Sequence, residues 1–255
     1  MSVAPSTIAF LALAAFIAGL VDSIAGGGGL VTVPALLWAG LPPQIALATN
    51  KGQAAFGAVS SFSSFWARGG IDKPRAPLGF ACGFVGSACG AQVLLLVKPE
   101  PLKPIVIVLL MLAAGVVAWP RKPKGPDGVS HPRSWAMRGL GPLAFVLGFY
   151  DGFFGPGVGS MLIVMFVLVF DDTLTRASGN AKVVNLASNV AALLLFAYRG
   201  TVLWSIALPM AAANAAGAFV GSRLAVKRGD RFVRVVVLAV VAALVVKMTH
   251  SLLAG

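Results

Sequence analysis

Apolar residues along this chain come in long blocks, not in the stripes of an amphipathic helix or the alternation of a half-buried strand. From Met1 to Asn50 the only charged side chain is Asp22, and from Gly139 to Phe170 the only one is Asp151. A run of about 20 apolar residues crosses a bilayer as a helix, so each half of the chain has room for several spans. Gly, Pro and charged positions divide the first half into segments 6–25, 28–41, 43–67, 74–97 and 101–119. The second half divides into 137–155, 158–170, 173–198, 202–226 and 231–253. Segments 28–41 and 158–170 are too short for an upright span, and each follows a Gly-rich break. They are expected as short or tilted spans, or as broken or re-entrant helices. A polar, basic stretch at 120–138 reads as a surface loop between the halves.

The two halves align with each other. Gly19-Leu-Val-Asp22 matches Gly148-Phe-Tyr-Asp151, and Gly26 to Gly28 match Gly155, Pro156 and Gly157. Asn50 then matches Asn180, with Lys51 and Lys182 close behind, and Gly86-x-x-x-Gly90 matches Gly217-x-x-x-Gly221. The expected fold class is therefore an all-α integral membrane protein of about ten hydrophobic segments, arranged as two five-segment repeats. The first transmembrane repeat is placed at 1–119, the linker at 120–138 and the second repeat at 139–255. An odd number of spans per repeat makes the second inverted relative to the first, a plan shared by many secondary transporters.

Composition sharpens this picture. Of 255 residues, 58% are hydrophobic and only 11% charged, against about a quarter charged in soluble domains. The net charge of +12 invites a nucleic-acid reading, but the Lys and Arg gather in short loops between apolar segments. If all ten segments cross, fourteen of the twenty fall on one side and four on the other, with Lys51 and Lys182 inside segments. That bias makes the basic loops cytoplasmic and excludes nucleic acid as the partner that the charge requires. No Lys or Arg precedes the first apolar run, so Thr7 to Val21 reads as a first span and not as a cleaved leader. Cys82 and Cys89 sit seven apart in a Gly/Ala-rich segment, as small residues of a helix interface.

Candidate chemistry is concentrated at matched places. Gly27, Gly28, Gly155 and Gly157 lie in the breaks, each followed by a short apolar segment whose free N-terminal amides attract anions. Asn50 with Lys51, and Asn180 with Lys182, lie about eight residues into apolar segments. A Lys near the bilayer centre costs about 2.5–3.5 kcal/mol on insertion scales, so an anionic partner explains it better than snorkelling does. Asp22 and Asp151 are candidates to pair with these lysines, to cap the following turn, or to accept a coupled proton. Gln53, Ser60, Ser61, Ser63, Ser64, Asn185, Ser188 and Asn189 are either pathway or helix-packing residues. His131 and His250 lie near no other ligand type, so no metal and no cofactor is expected. With no Ser/His/Asp set the chain reads as a non-enzyme, and with no Walker loop it reads as driven by a gradient.

The run Gly19-x-x-Asp22, Gly26 to Gly29, Pro34, then Ala48-Thr-Asn-Lys51, resembles the sulfite exporter TauE/SafE family, also called the toluene sulfonate uptake permease family. A weaker second copy runs from Gly148 to Lys182, with Pro156 and Val158 in place of glycines and Ala181 between Asn180 and Lys182. The resemblance implies a multi-pass permease of a bacterial inner membrane for sulfite, sulfonates or related organosulfur anions. The expected function is a secondary transporter working by alternating access. Its partners are then a small anion, the lipid bilayer, a coupling proton or sodium ion, and, as an open option, a second copy in a homo-oligomer. The competing classes are a membrane-embedded enzyme or lipid-processing factor, and a passive anion channel.

Overall fold

A computed structural model describes residues 4–98, 100–102, 105–106, 108–109, 112 and 134–253. Every regular element among the described residues is an α-helix. The helices are α1 (Pro5–Ala25), α2 (Gly29–Trp38), α3 (Pro43–Ala67) and α4 (Ala76–Leu96) in the first half. The second half holds α5 (Ser134–Phe153), α6 (Val158–Phe170), α7 (Leu174–Tyr198) and α8 (Trp204–Leu253). Four stretches are long and apolar enough to cross a membrane: Pro5–Ala25, Ala76–Leu96, Leu174–Tyr198 and Trp204–Gly229. The segment expected at 101–119 and the linker expected at 120–138 lie largely outside the described residues, although α5 starts at Ser134, inside the linker range.

Helix ends follow from local chemistry. Gly26, at φ 72°, ends α1 and returns its N–H to the Asp22 carbonyl. Pro43 opens α3 at its first turn, where a missing N–H costs nothing. Thr173 caps α7 by accepting the Arg176 N–H. The segments expected at 202–226 and 231–253 run together as α8, interrupted only at Gly229 with φ 66° and ψ −164°.

The short segments are half-length. α2 has 10 residues, a rise of about 15 Å against a hydrocarbon core of about 30 Å. It runs back along α1, because the Phe10 and Trp38 rings lie 5.1 Å apart. The segment expected at 28–41 is thus shortened, since Ala39 and Gly40 turn the chain and Pro42 and Pro43 start the next helix.

Packing exchanges one helix between the halves. α4 leaves the helices before it and lies against α5 and α7, while α8 lies against α1 and α3. Gly86 and Gly90 on α4 sit under the carbonyls of Phe145 and Phe149 on α5. Gly217 and Gly221 on α8 sit under those of Phe16 and Leu20 on α1. Such close backbone approach is how membrane helices associate where lipid offers no hydrophobic driving force. The result is one bundle of α1, α2, α3 and α8, and another of α4, α5, α6 and α7. Leu13, Ile17, Val85, Val146, Leu168 and Leu194 project outward, while Lys51, Lys182 and Asp151 are buried. That is the arrangement of a chain surrounded by lipid.

The glycine contacts predict their own test. A Cβ at Gly90 or Gly217 would fall within van der Waals contact of a facing carbonyl, whereas one at Gly139 meets only Leu143 Cδ1 at 3.8 Å. Gly90→Val and Gly217→Val should each lower the melting temperature in detergent, consistent with overpacking costs of about 1–3 kcal/mol. Gly139→Ala should melt like the parent.

Candidate functional site

The two helix breaks meet tip to tip. A Cβ at Gly26 would collide with Gly159 and Ser160, and one at Gly29 would come within 3.0 Å of Pro156 Cα. Ser160 Oγ donates to the Ala25 carbonyl at 2.8 Å, tying one break to the other. Gly26, Gly27, Gly155 and Gly157 all take positive φ, which other residues rarely adopt.

Around this junction the buried charges pair across the chain. Lys51 Nζ on α3 donates to Asp151 Oδ1 on α5 at 2.5 Å and to Asn189 Oδ1 on α7 at 3.3 Å. Lys182 Nζ on α7 donates to Asp22 Oδ2 on α1 at 2.7 Å and to the Asp22 carbonyl at 2.5 Å. Each lysine therefore takes the acid of the other half, and each pair joins the two bundles. Asp22 also receives the Gly28 N–H at 3.2 Å, so it both pairs with a lysine and caps the break. Asp151 is held on its second oxygen by the Ser188 hydroxyl.

A small cavity of about 30 Å³ opens at this junction. Gly27, Gly28, Gly155 and Gly157 line it, with Asn50, Lys51, Asp22 and Asp151. At about 10–15 Å³ per water it has room for two or three waters. Gln53, Asn185 and Asn189, read from sequence as pathway or packing residues, line it too.

Two of the expected site residues lie elsewhere. Lys182 is fully buried behind Asp22 and is not among the lining residues. Asn180 takes part in a separate cluster, where its Oδ1 accepts the Asp72 N–H at 2.7 Å and its Nδ2 donates to Asp172 Oδ2 at 2.6 Å. Arg75 completes that cluster, reaching Asp72 Oδ2 at 2.7 Å and Asp172 Oδ1 at 2.9 Å, and its guanidinium lies 5.3 Å from the Phe170 ring centroid. Burial works to lower the Arg75 pKa, but the hydrogen bonds and charges of Asp172 and Asp72 outweigh it and raise the net value. The cluster fastens the start of α4 to α6 and α7.

Sequence reading missed Asn214. It lies on α8, lines the cavity and donates to Gln53 Oε1 at 2.6 Å. Its signal was a lone carboxamide in an otherwise Ala-rich span, hidden because its counterpart in the other half is Gly83. Among the described residues no group of three or more His, Cys, Asp and Glu is placed to hold a metal.

Comparison with known proteins accords with this architecture. The family model described as "Sulfite exporter TauE/SafE" matches residues 11–248. The chain is 38% identical to "Probable membrane transporter protein ORF9" of Sinorhizobium sp, over 96% of this chain and 95% of that one. It is 37% identical to "Probable membrane transporter protein YfcA" of Escherichia coli strain K12, over 98% of this chain and 92% of that one. It is 34% identical to a "Probable membrane transporter protein" of Haemophilus influenzae, over 98% of each. No solved structure matches it. A multi-pass helical membrane protein with this family match over nearly its whole length belongs to the sulfite exporter TauE/SafE family of membrane transporters.

Proposed function

We propose that this chain is a secondary transporter of small anions, sulfite or sulfonates by its family's description, and that it binds them at the junction of the helix breaks. The observation that carries this is the crossed pairing of Lys51 with Asp151 and Lys182 with Asp22 beside one polar cavity. Ionisable groups this deep in apolar segments are rare even when paired, and they commonly mark substrate or ion pathways.

Lys51 and Lys182 take different parts. Lys51 lines the cavity and is the group an anion meets, exchanging Asp151 for the substrate. Lys182 holds α1 at its break through both the side chain and the backbone of Asp22. Asn180 belongs with Asp72, Arg75 and Asp172, and in this reading it supports the fold and not the ligand.

The matched contacts support two inverted repeats. The glycine pairs 86/90 and 217/221 receive corresponding carbonyls, and Leu203 N–H bonds Thr49 Oγ1 much as Asp72 N–H bonds Asn180 Oδ1. The exchange of α4 and α8 makes the units of alternating access the two bundles, not the two sequence halves. The basic loops then face the cytoplasm of a bacterial inner membrane, and a proton or sodium gradient drives the cycle through the acids released from their lysines.

Counterflow in proteoliposomes tests the carrier. Preloaded unlabelled sulfite or sulfonate should drive accumulation of labelled anion, which a passive channel would not sustain. Lys51→Gln combined with Asp151→Asn removes both charges while keeping shape. It should fold and lose uptake at least tenfold. Unchanged uptake in this double variant would refute the site.

The lysine roles separate by stability. Removing one member of a buried pair typically costs about 3–5 kcal/mol. Lys182→Met should therefore lower the melting temperature clearly, and adding Asp22→Asn should recover much of that loss. No recovery would argue against Lys182 as the strut of the break.

A further inference from the structure

Three carboxamides at the cavity are joined head to tail. Asn214 Nδ2 donates to Gln53 Oε1 at 2.6 Å, and Gln53 Nε2 donates to Asn50 Oδ1 at 2.8 Å. Thr32 Oγ1 donates to the same Asn50 oxygen at 2.6 Å. Two donors converge on Asn50 Oδ1, so its Nδ2 points the other way, and no acceptor for it exists among the described residues. Asn50 is 4% exposed and borders the cavity beside Lys51. A primary amide carries two N–H donors, and Asn50 Nδ2 is not one of the fully buried, unpartnered polar atoms among the described residues, so its donors are open to the cavity that Asn50 lines.

Packing fixes where the Asn214 side chain sits, and the direction of the chain is read from its hydrogen bonds. The Asn214 carboxamide occupies the space that Cβ atoms at Gly57 and Gly19 would fill, with a Gly19 Cβ only 2.9 Å from its Oδ1. Gly57 is on α3 and Gly19 on α1, so three helices of one bundle hold the Asn214 rotamer. Gln53, between Asn214 and Asn50, is 1% exposed. No partner in the other half repeats this arrangement, because the positions matching Gln53 and Asn214 are Val184 and Gly83.

We infer that Asn214 and Gln53 are positioning residues that set the polarity of Asn50, so that its Nδ2 donates to an oxyanion held by Lys51. This inference rests on the anion-transport reading above. The two donors come from neighbouring residues on α3, about 100° apart around the helix. They approach a ligand from different directions, which suits an anion with several acceptor oxygens, such as a sulfonate, sulfite or carboxylate. The site then takes its charge recognition from Lys51 and its oxygen recognition from a neutral donor, without a second cation.

The test is a double-mutant cycle on binding, read by calorimetric titration in detergent with sulfite, methanesulfonate, sulfate, acetate and chloride. Gln53→Met and Asn50→Leu should each weaken oxyanion binding about ten- to a hundredfold, the range for a hydrogen bond to a charged group. Gln53→Met placed in the Asn50→Leu background should cause no further loss, because Gln53 acts only through Asn50. A purely structural role would instead give additive losses, and additivity overturns the inference. Gln53→Glu serves if the Met variant fails to fold. It accepts where Gln donates, turns the Asn50 Nδ2 toward itself, and should weaken binding equally. Ligand-free melting temperatures confirm folding. If the parent protein binds none of the five anions, the anion reading fails and takes the inference with it. If the parent binds but the Gln53 variants match it, the inference alone is refuted.

Discussion

Two crossed lysine–carboxylate pairs govern the interior of this protein. A lone Lys in the hydrocarbon region is expensive, and so is a lone carboxylate, but neither half of the chain neutralises its own lysine. Lys51 finds Asp151 and Lys182 finds Asp22, so charge neutrality inside the membrane is reached only when the halves come together. Removing one partner from such a pair is typically worse than removing both. The pairing also sets where the chain can break. Asp22 sits three residues before the end of α1, where its carboxylate takes the Gly28 N–H and its carbonyl takes both the Gly26 N–H and Lys182 Nζ. One acid thus stabilises an interrupted helix and anchors it to the facing bundle.

The exchange of α4 and α8 has a mechanical consequence. Smooth glycine faces bring the α1–α8 and α4–α5 backbones close together, and neither interface carries a charge pair among the described residues. The bundle interface is different, since both lysine pairs cross it and the cavity lies along it. Any opening along that interface breaks ion pairs, whereas motion within a bundle must overcome tight backbone packing. In the proposed cycle, a ligand that replaces Asp151 at Lys51 would act on the boundary that both ion pairs cross.

Much of this was legible from sequence because membranes penalise polar groups severely. Asp22, Asp151, Lys51 and Lys182 stand out as the ionisable residues of apolar blocks, and the glycine runs mark the breaks. The bounds of α3 and α6 coincide with the segments expected at 43–67 and 158–170, because Pro, Gly and Asp punctuate them. Helix exchange was not legible, since a Gly-x-x-x-Gly face announces close packing without naming its partner. Nor was the destination of Asn180. Two residues before Lys182 on a helix is a different face, and that face looks to Asp172. Arg75 read as one more loop charge, because counting loop charges treats each as solvated, yet it is 4% exposed between two carboxylates.

The repeated scaffold and the unrepeated cavity answer to different constraints. Glycine faces, breaks, acids and lysines recur in both halves because each half must solve the same packing problem. The carboxamide relay does not recur, although Asn50 itself matches Asn180. Gln53 and Asn214 correspond to Val184 and Gly83, and the relay they form lies within one bundle. A site built with exact twofold repetition would offer a ligand two equivalent lysines and two equivalent donors. Here Lys51 borders the cavity while Lys182 is withdrawn behind Asp22, so charge and hydrogen-bond donors converge from one side. An anion without twofold symmetry of its own, such as a sulfonate with one organic arm, is better matched by that one-sided arrangement than by a symmetric one. The duplication supplies the frame, and its local failure gives the proposed site its one-sided character.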